Sequence, residues 1–305
     1  MRALTFSGAS SLQEKRALPL TDLQLLLVAI LWGSDFIFVK IALREISPLS
    51  FMAMRSLITT AAFLPFFLKQ EKKWSVRPRD FWGLVALAFL GSFINRVFFS
   101  LGLNLTTASN ASLLITTAPL FVLLTSSFFS RTEITSRSVL GIVVAFAGAF
   151  LVIKRDWKEW TLITDYVEGD LYMIGAAFFW ALFNVFARPF LKEYSSVKVM
   201  GYVMIFGSIL YLPFLPNEKG GNGWQVSALA WFCLFYGGLL GQMIGYFLWI
   251  RGIQNIGPLR AIIYQYATPV TAILLAVLFL GETMTAMQSL GAALVFGGIF
   301  LARTG

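Results

Sequence analysis

The stretch from Gly102 to Leu151 reappears without a gap 150 residues further along. Gly102, Ala111, Pro119, Gly141, Phe146, Gly148, Phe150 and Leu151 fall on Gly252, Ala261, Pro269, Gly291, Phe296, Gly298, Phe300 and Leu301. An offset of 148 then aligns the beginnings of the two halves, setting Trp32 on Trp180 and Lys40 on Arg188. The chain is one fold unit written twice.

The medium of that unit follows from composition: 58% of the residues are apolar and only 13% are charged. In hydrocarbon each backbone N–H and C=O must find a partner within its own segment or a closed sheet, so continuous rather than alternating apolar blocks select helices. Ten blocks of about spanning length are expected, at 22–43, 50–68, 81–103, 110–129, 138–154, 169–191, 198–216, 226–250, 258–279 and 286–302. Turn and charge signals punctuate them, among them Ser47-Pro48, Arg77-Pro78-Arg79-Asp80, Pro216-Asn217 and Gly257-Pro258. The sequence predicts an all-α integral membrane protein.

Five helices per half is an odd number, so the second half enters the membrane from the side opposite to the first. The expected architecture is ten transmembrane helices as two inverted five-helix repeats, with a tail over 1–21, repeats over 22–154 and 169–302, and a periplasmic linker over 155–168. Many secondary transporters are built this way, with the substrate site where the copies meet near the bilayer midplane. A duplicated bundle also serves as a sensor or scaffold, which would tolerate a greasy, filled repeat interface.

Orientation follows from the basic residues. With the N-terminus inside, the short cytoplasmic segments hold sixteen Lys and Arg, and the opposite segments hold six, Lys40, Arg44, Lys154, Arg155, Lys158 and Lys219. Both termini are therefore expected in the cytoplasm. The same bias accounts for the net charge of +9 without a nucleic-acid partner. The basic first 19 residues lack an apolar core of their own, and the hydrophobic stretch from Leu23 is of full spanning length, so no cleaved signal peptide is expected. Cys233 is the single cysteine, His is absent, and no Walker loop, HExxH or Gly-x-Ser-x-Gly occurs. These patterns predict no metal, no cofactor, no ATP-driven pumping and no enzymatic activity.

The stretch Ala29-Ile-Leu-Trp-Gly-Ser-Asp-Phe-Ile-Phe-Val-Lys40, followed by Ser47-Pro48, Arg55, Gly102-Leu-Asn-Leu-Thr-Thr-Ala-Ser-Asn-Ala-Ser-Leu-Leu114 and Pro119-Leu120, resembles the first repeat of the EamA-type family of the drug/metabolite transporter superfamily. Trp180-Ala-Leu-Phe-Asn184, Gly252, Gly257-Pro-Leu-Arg-Ala261, Pro269 and Leu280-Gly-Glu282 resemble the second. The resemblance covers nearly all of residues 22–302. It implies the ten-helix inverted-repeat fold, a central cavity lined mainly by helices 1, 3, 4, 6, 8 and 9, and movement of small metabolites, often outward, across a bacterial inner membrane. Substrate varies widely within the family.

Most of the glycines in these spans are expected to let helix backbones approach closely. The Gly237-x3-Gly241-x3-Gly245 stripe is read the same way, ahead of a ligand role. Pro119 and Pro269, at matched positions in helices 4 and 9, each remove a backbone hydrogen bond, which makes them either hinges for alternating access or static bends.

An ionised side chain inside the membrane costs several kcal/mol unless it meets water or a partner. Three qualify: Asp35, Arg55 and Arg96. Arg55, at a position where the family commonly carries Arg, is expected in a structural or gating ion pair. Asp35 and Arg96 depart from the family pattern. Asp35 either forms a permanent bridge to Arg96 or stands in the cavity as a substrate or proton site, the latter giving possible proton coupling. Lys40 and Arg188 lie near helix ends and are expected to snorkel.

The expected substrate-binding set is Trp32, Asp35, Asn95, Arg96, Trp180, Asn184, Gln242, Tyr246, Tyr264 and Gln265, with Arg55, Pro119 and Pro269 at gates or hinges. Mid-helix Asn, Gln and Tyr need hydrogen-bond partners, which favours a wet cavity with apolar rings and a few convergent polar groups. Two arginines and one aspartate suit a cargo bearing both a carboxylate and an ammonium, so an amino acid or similar zwitterion leads. An organic cation such as choline, held by Asp35 and aromatic faces, is the alternative. The expected partners are a small-molecule substrate and the lipid bilayer, the expected mechanism is alternating access, and a monomer is sufficient.

Overall fold

The computed structural model describes residues 9–72, 75–130, 135–154, 166–215 and 226–304. All regular structure among these residues is helical. In chain order, α1 runs Ala9–Ala42, α2 Pro48–Gln70 and α3 Pro78–Leu105, while α4 is made of Ala108–Ile115 and Ala118–Ser130. α5 is Ser136–Lys154, α6 Val167–Glu193, α7 Ser196–Tyr211 and α8 Ala228–Ile256. α9 comprises the consecutive pieces from Pro258 to Leu280, and α10 is Ala286–Thr304.

Local chemistry sets the starts. Pro48, Pro78 and Pro258 open their helices, where the missing N–H is no loss. Thr107, Ser195 and Ser227 cap α4, α7 and α8, each side-chain oxygen accepting from a backbone N–H three residues on. Glu45 accepts from both the N–H and the hydroxyl of Ser227 at 2.7 Å, tying the end of α1 to the start of α8. Those hydrogen bonds hold the Glu45 carboxyl below its usual range.

Seven helical stretches are long and apolar enough to cross a membrane, and three shorter apolar stretches, Val139–Val152, Tyr264–Leu280 and Ala286–Gly298, accompany them. Their outward faces carry large apolar side chains in the open, such as Leu23, Phe128, Leu171, Leu278, Phe279 and Phe300. Exposed apolar surface on this scale fits a lipid-facing surface and not a water-facing one.

Glycine fixes the close approaches between elements. A Cβ on Gly148 of α5 would lie 2.6 Å from the Gly291 carbonyl of α10, and one on Gly298 of α10 would lie 2.4 Å from the Ala145 amide. Those helices touch backbone to backbone, as small residues permit in lipid. Gly297 is different, with open space where its side chain would be.

Two irregularities occur at equivalent places in the halves. α3 widens into a π-helical segment over Phe89–Ile94, and α8 does so over Gly237–Ile244. Such segments often sit at functional sites. In α4 the helix breaks at Thr116-Thr117, directly before Ala118-Pro119, and α9 tightens to 3-10 geometry over Ile262–Tyr266, directly before Ala267-Thr268-Pro269. The proline ring crowds the carbonyl four residues earlier, Ile115 in one case and Gln265 in the other, so the disturbance falls one turn upstream.

Candidate functional site

Ile115 and Gln265 both line a cavity in the middle of the helices, together with Trp32, Asp35, Phe36, Asn95, Arg96, Phe99, Trp180 and Thr268. The space in it open to the centre of a water-sized sphere is about 40 Å³. α1 supplies Trp32, Asp35 and Phe36, and the turns after the π-helical segment of α3 supply Asn95, Arg96 and Phe99. α6 gives Trp180, while the proline-disturbed stretches of α4 and α9 give Ile115, Gln265 and Thr268.

The charges are arranged unevenly. Arg55 donates through Nη2 to Asp35 Oδ2 at 2.8 Å, with the two side chains 0% and 3% exposed. Asp35 therefore bridges to Arg55 and not to Arg96, which removes one of the two roles expected for it and leaves the place in the cavity wall. Oδ1 of Asp35 is buried without a partner among the described residues. The glycine stripe on α8 makes the slot for this pair: a Cβ on Gly241 would stand 2.9 Å from both Arg55 Nη2 and the Asp35 carboxylate, and one on Gly245 would stand 2.6 Å from the Trp32 indole nitrogen. That nitrogen donates to the Gly241 carbonyl at 2.8 Å. Close packing is indeed what the stripe provides, and its function is to seat an ion pair.

Gly241→Ala is accordingly expected to destabilise the protein by about 1–3 kcal/mol, the usual cost of overpacking. Gly297→Ala, with open space around it, is expected to be neutral or to stabilise by up to about 1 kcal/mol through helix propensity. Thermal unfolding of the two variants in detergent, side by side, checks the contrast.

Arg96 is held differently. Its Nε donates to the Tyr246 hydroxyl at 2.9 Å, that hydroxyl donates to the Gly91 carbonyl at 3.0 Å, and the guanidinium carbon lies 4.6 Å from the centre of the Tyr246 ring. No carboxylate pairs with it among the described residues, and its terminal nitrogens have no hydrogen-bond partner there. The Trp180 indole nitrogen and the Thr268 hydroxyl, on the same cavity wall, are also buried without partners among the described residues. Buried polar atoms are rarely left unpaired, so this concentration around one cavity marks a place for something polar.

Of the ten residues expected to bind substrate, Trp32, Asp35, Asn95, Arg96, Trp180 and Gln265 line the cavity. The other four do not. Tyr246 stands behind Arg96, and Asn184 bonds back to the Trp180 carbonyl at 2.7 Å while accepting from Trp249 at 2.9 Å. Gln242 points at the Met204 sulfur of α7, and Tyr264 donates to Asp22 of α1. Asn184, Tyr246 and Tyr264 thus find partners within the helices and do not require a wet cavity, whereas Gln242 has only its contact with the sulfur. Lys40, near the end of α1, donates to three backbone carbonyls at the end of α3. Phe36, Phe99, Ile115 and Thr268 went unanticipated, although each lies within one turn of, or beside, an expected residue or the matched proline.

A family model described as the EamA-like transporter family matches residues 19–154 and again 167–304. An uncharacterized transporter of Archaeoglobus fulgidus is 27% identical over 278 residues, covering 91% of this chain and 96% of that protein. The uncharacterized inner membrane transporter YicL of Salmonella typhimurium is 26% identical, with 92% and 93% covered. A Salmonella typhimurium protein described as a probable amino-acid metabolite efflux pump is 25% identical, with 90% and 92% covered. One solved crystal structure superposes with a TM-score of 0.68 at 20% identity, covering 92% of this chain and 96% of the other.

Proposed function

Because the chain belongs to the EamA-like transporter family and is a multi-pass membrane transporter, not an enzyme, we propose that it exports small zwitterionic metabolites, amino acids foremost. Transport proceeds by alternating access between two inverted five-helix repeats. The seven long and three shorter apolar stretches, together with the twofold match of the family model, support ten spans. Repeat-equivalent residues touch across the centre, which also favours the reading: Trp32 meets Trp180 with ring centres 5.4 Å apart, and Arg96 bonds to Tyr246 across a separation of 150 residues. The bias in Lys and Arg favours both termini in the cytoplasm, and the Salmonella relative's description fits a bacterial inner membrane.

The single observation that carries the cargo class is that Arg96 and Asp35 line one cavity with unpartnered atoms of opposite character. A carboxylate fits against the free guanidinium edge and the Trp180 N–H. The ammonium of the same molecule fits beside the Asp35 carboxylate and the Thr268 hydroxyl, and an apolar side chain fits among Phe36, Phe99 and Ile115. A quaternary amine alone would leave Arg96 uncompensated beside it, which disfavours the choline-like alternative.

A thermal-shift screen of the detergent-purified protein against amino acids, quaternary amines and monocarboxylates tests this, since a ligand of the native state raises its apparent stability. Amino acids are expected to raise Tm, less so in Asp35→Asn. A response to quaternary amines alone overturns the reading, and equal responses to amino acids and plain carboxylates remove the ammonium contact. Proton coupling through Asp35 is tested in proteoliposomes. Coupled exchange loses its dependence on a pH gradient in Asp35→Asn, and unchanged dependence takes Asp35 out of any coupling.

A further inference from the structure

The two ends of the molecule carry duplicated parts in different states. At one end Lys40 Nζ donates to the carbonyls of Leu103, Asn104 and Thr106 at 2.7, 3.1 and 2.6 Å. The last carbonyls of a helix have no partner within it, and a cation there also complements the helix dipole. Beside this cap, Glu282 accepts from the Ala108 and Ser109 amides at 2.9 and 3.0 Å, and Asp170 accepts from the Thr106 hydroxyl and the Asn110 amide. Side chains from α1, α6 and the connection after α9 thus clasp the turn between α3 and α4.

The internal repeat maps this cap onto the other end. The 148-residue offset takes Lys40 to Arg188, and the 150-residue offset takes Leu103, Asn104 and Thr106 to Ile253, Gln254 and Ile256. Asp170 fixes the start of α6 at the Lys40 end. Arg188, eighteen residues further along the same helix, lies about 27 Å away at 1.5 Å per residue. There the cation stands open, while the Ile253 carbonyl already accepts from the Gly257 amide at 2.9 Å and keeps one lone pair for a second donor. Arg188 is exposed, has no hydrogen bond or ion pair among the described residues, and lines with Ile253, Gln254 and Ile256 a cavity of about 580 Å³ of empty space. It also lines a larger neighbouring cavity of about 1380 Å³.

We propose that Lys40 and Arg188 are alternate caps: Arg188 closes on the carbonyls of Ile253, Gln254 and Ile256 as Lys40 releases those of Leu103, Asn104 and Thr106. The exchange opens the central cavity at the Lys40 end and shuts it at the Arg188 end. Its energetic cost stays low because one set of cation-to-carbonyl bonds replaces another. The inference rests on the alternating-access reading.

The test uses the full chain with Cys233, its single cysteine, replaced by alanine and one cysteine placed in the cavity wall as Ile115→Cys. A membrane-impermeant maleimide is applied to each face of oriented vesicles. Arg188→Gln is expected to slow labelling from the Lys40 face about tenfold, and Lys40→Gln to speed it by a similar factor, as the loss of hydrogen bonds to a charged group implies. Arg188→Lys and Lys40→Arg keep the cation and are expected to preserve the wild-type ratio, which separates capping from misfolding. Gln variants that leave the ratio unchanged, or shift it in the same direction, overturn the alternate caps. A wild-type cavity reachable from one face only overturns alternating access itself, and the caps with it.

Discussion

Asp35→Ala is expected to destabilise the protein by about 3–5 kcal/mol, because it leaves the Arg55 guanidinium charged and unpaired in a fully buried site. Arg55 has no second acceptor to turn to: its Nε and Nη1 are already without partners among the described residues, and the Asp35 carboxylate is its one ion-pair partner there. The surrounding wall is the glycine face of α8 with Ile58 of α2, which offers packing but no compensating charge. Coupled replacement should behave differently. Asp35→Ala with Arg55→Met removes both charges and restores much of the volume, and exchanging a buried ion pair for apolar side chains is often neutral or favourable. Thermal unfolding of the two single variants and the double variant in detergent gives the cycle. A single-variant loss below about 1 kcal/mol would mean that the pair behaves as a solvated surface bridge, contrary to its burial.

Arg96→Ala has a different expected signature, loss of cargo with the fold retained. The terminal nitrogens of Arg96 contact no acceptor among the described residues, so beyond its Nε bond to Tyr246 and its seat on the Tyr246 ring the contacts removed are those made to cargo. A hydrogen bond to a charged group is worth about 1.5–3 kcal/mol, which is roughly a ten- to hundredfold weakening of binding. Arg96→Lys keeps the charge but loses the fork that grips a carboxylate at two points, and it should recover only part of the affinity. Tyr246→Phe should weaken binding less, since Tyr246 positions the guanidinium through Nε without standing in the cavity wall. The measurement is ligand-dependent Tm together with uptake into proteoliposomes. An Arg96→Ala protein that binds amino acids as well as wild type does would remove Arg96 from recognition.

Much of the architecture was legible in the sequence because lipid makes the reading direct. A backbone without water must pair within its own segment, so each apolar run translates into a helix, and the observed boundaries lie within a few residues of the runs. Three ends depart from the runs: α1 begins at Ala9, inside the stretch expected as a tail, α8 runs on to Ile256 past 250, and α7 stops at Tyr211 where the apolar run continues towards 216. Leu212-Pro213-Phe214 forms a short 3-10 turn there, since proline cannot continue the ladder. The candidate site was legible in part. Trp32, Asp35 and Arg96 announce themselves as large or charged groups in apolar surroundings, whereas Thr268 and Ile115 look like ordinary helix residues and gain their place from the disturbed turns before Pro269 and Pro119.

The sequence by itself determined the medium, the helices, the duplication and the short set of residues whose charge or polarity required explanation. All of these follow from local backbone hydrogen bonding and from composition summed over a turn or a span. Only the tertiary structure decided partnership. Asp35 pairs with Arg55 and leaves Arg96 free, Asn184 and Gln242 turn to neighbouring helices, and Lys40 caps α3 while Arg188 stands open. The reason is one of range. A hydrogen bond or ion pair is settled within about 3 Å, and that distance depends on how each helix is rotated and how closely a glycine such as Gly241 lets its neighbour approach, which no spacing along a single chain records.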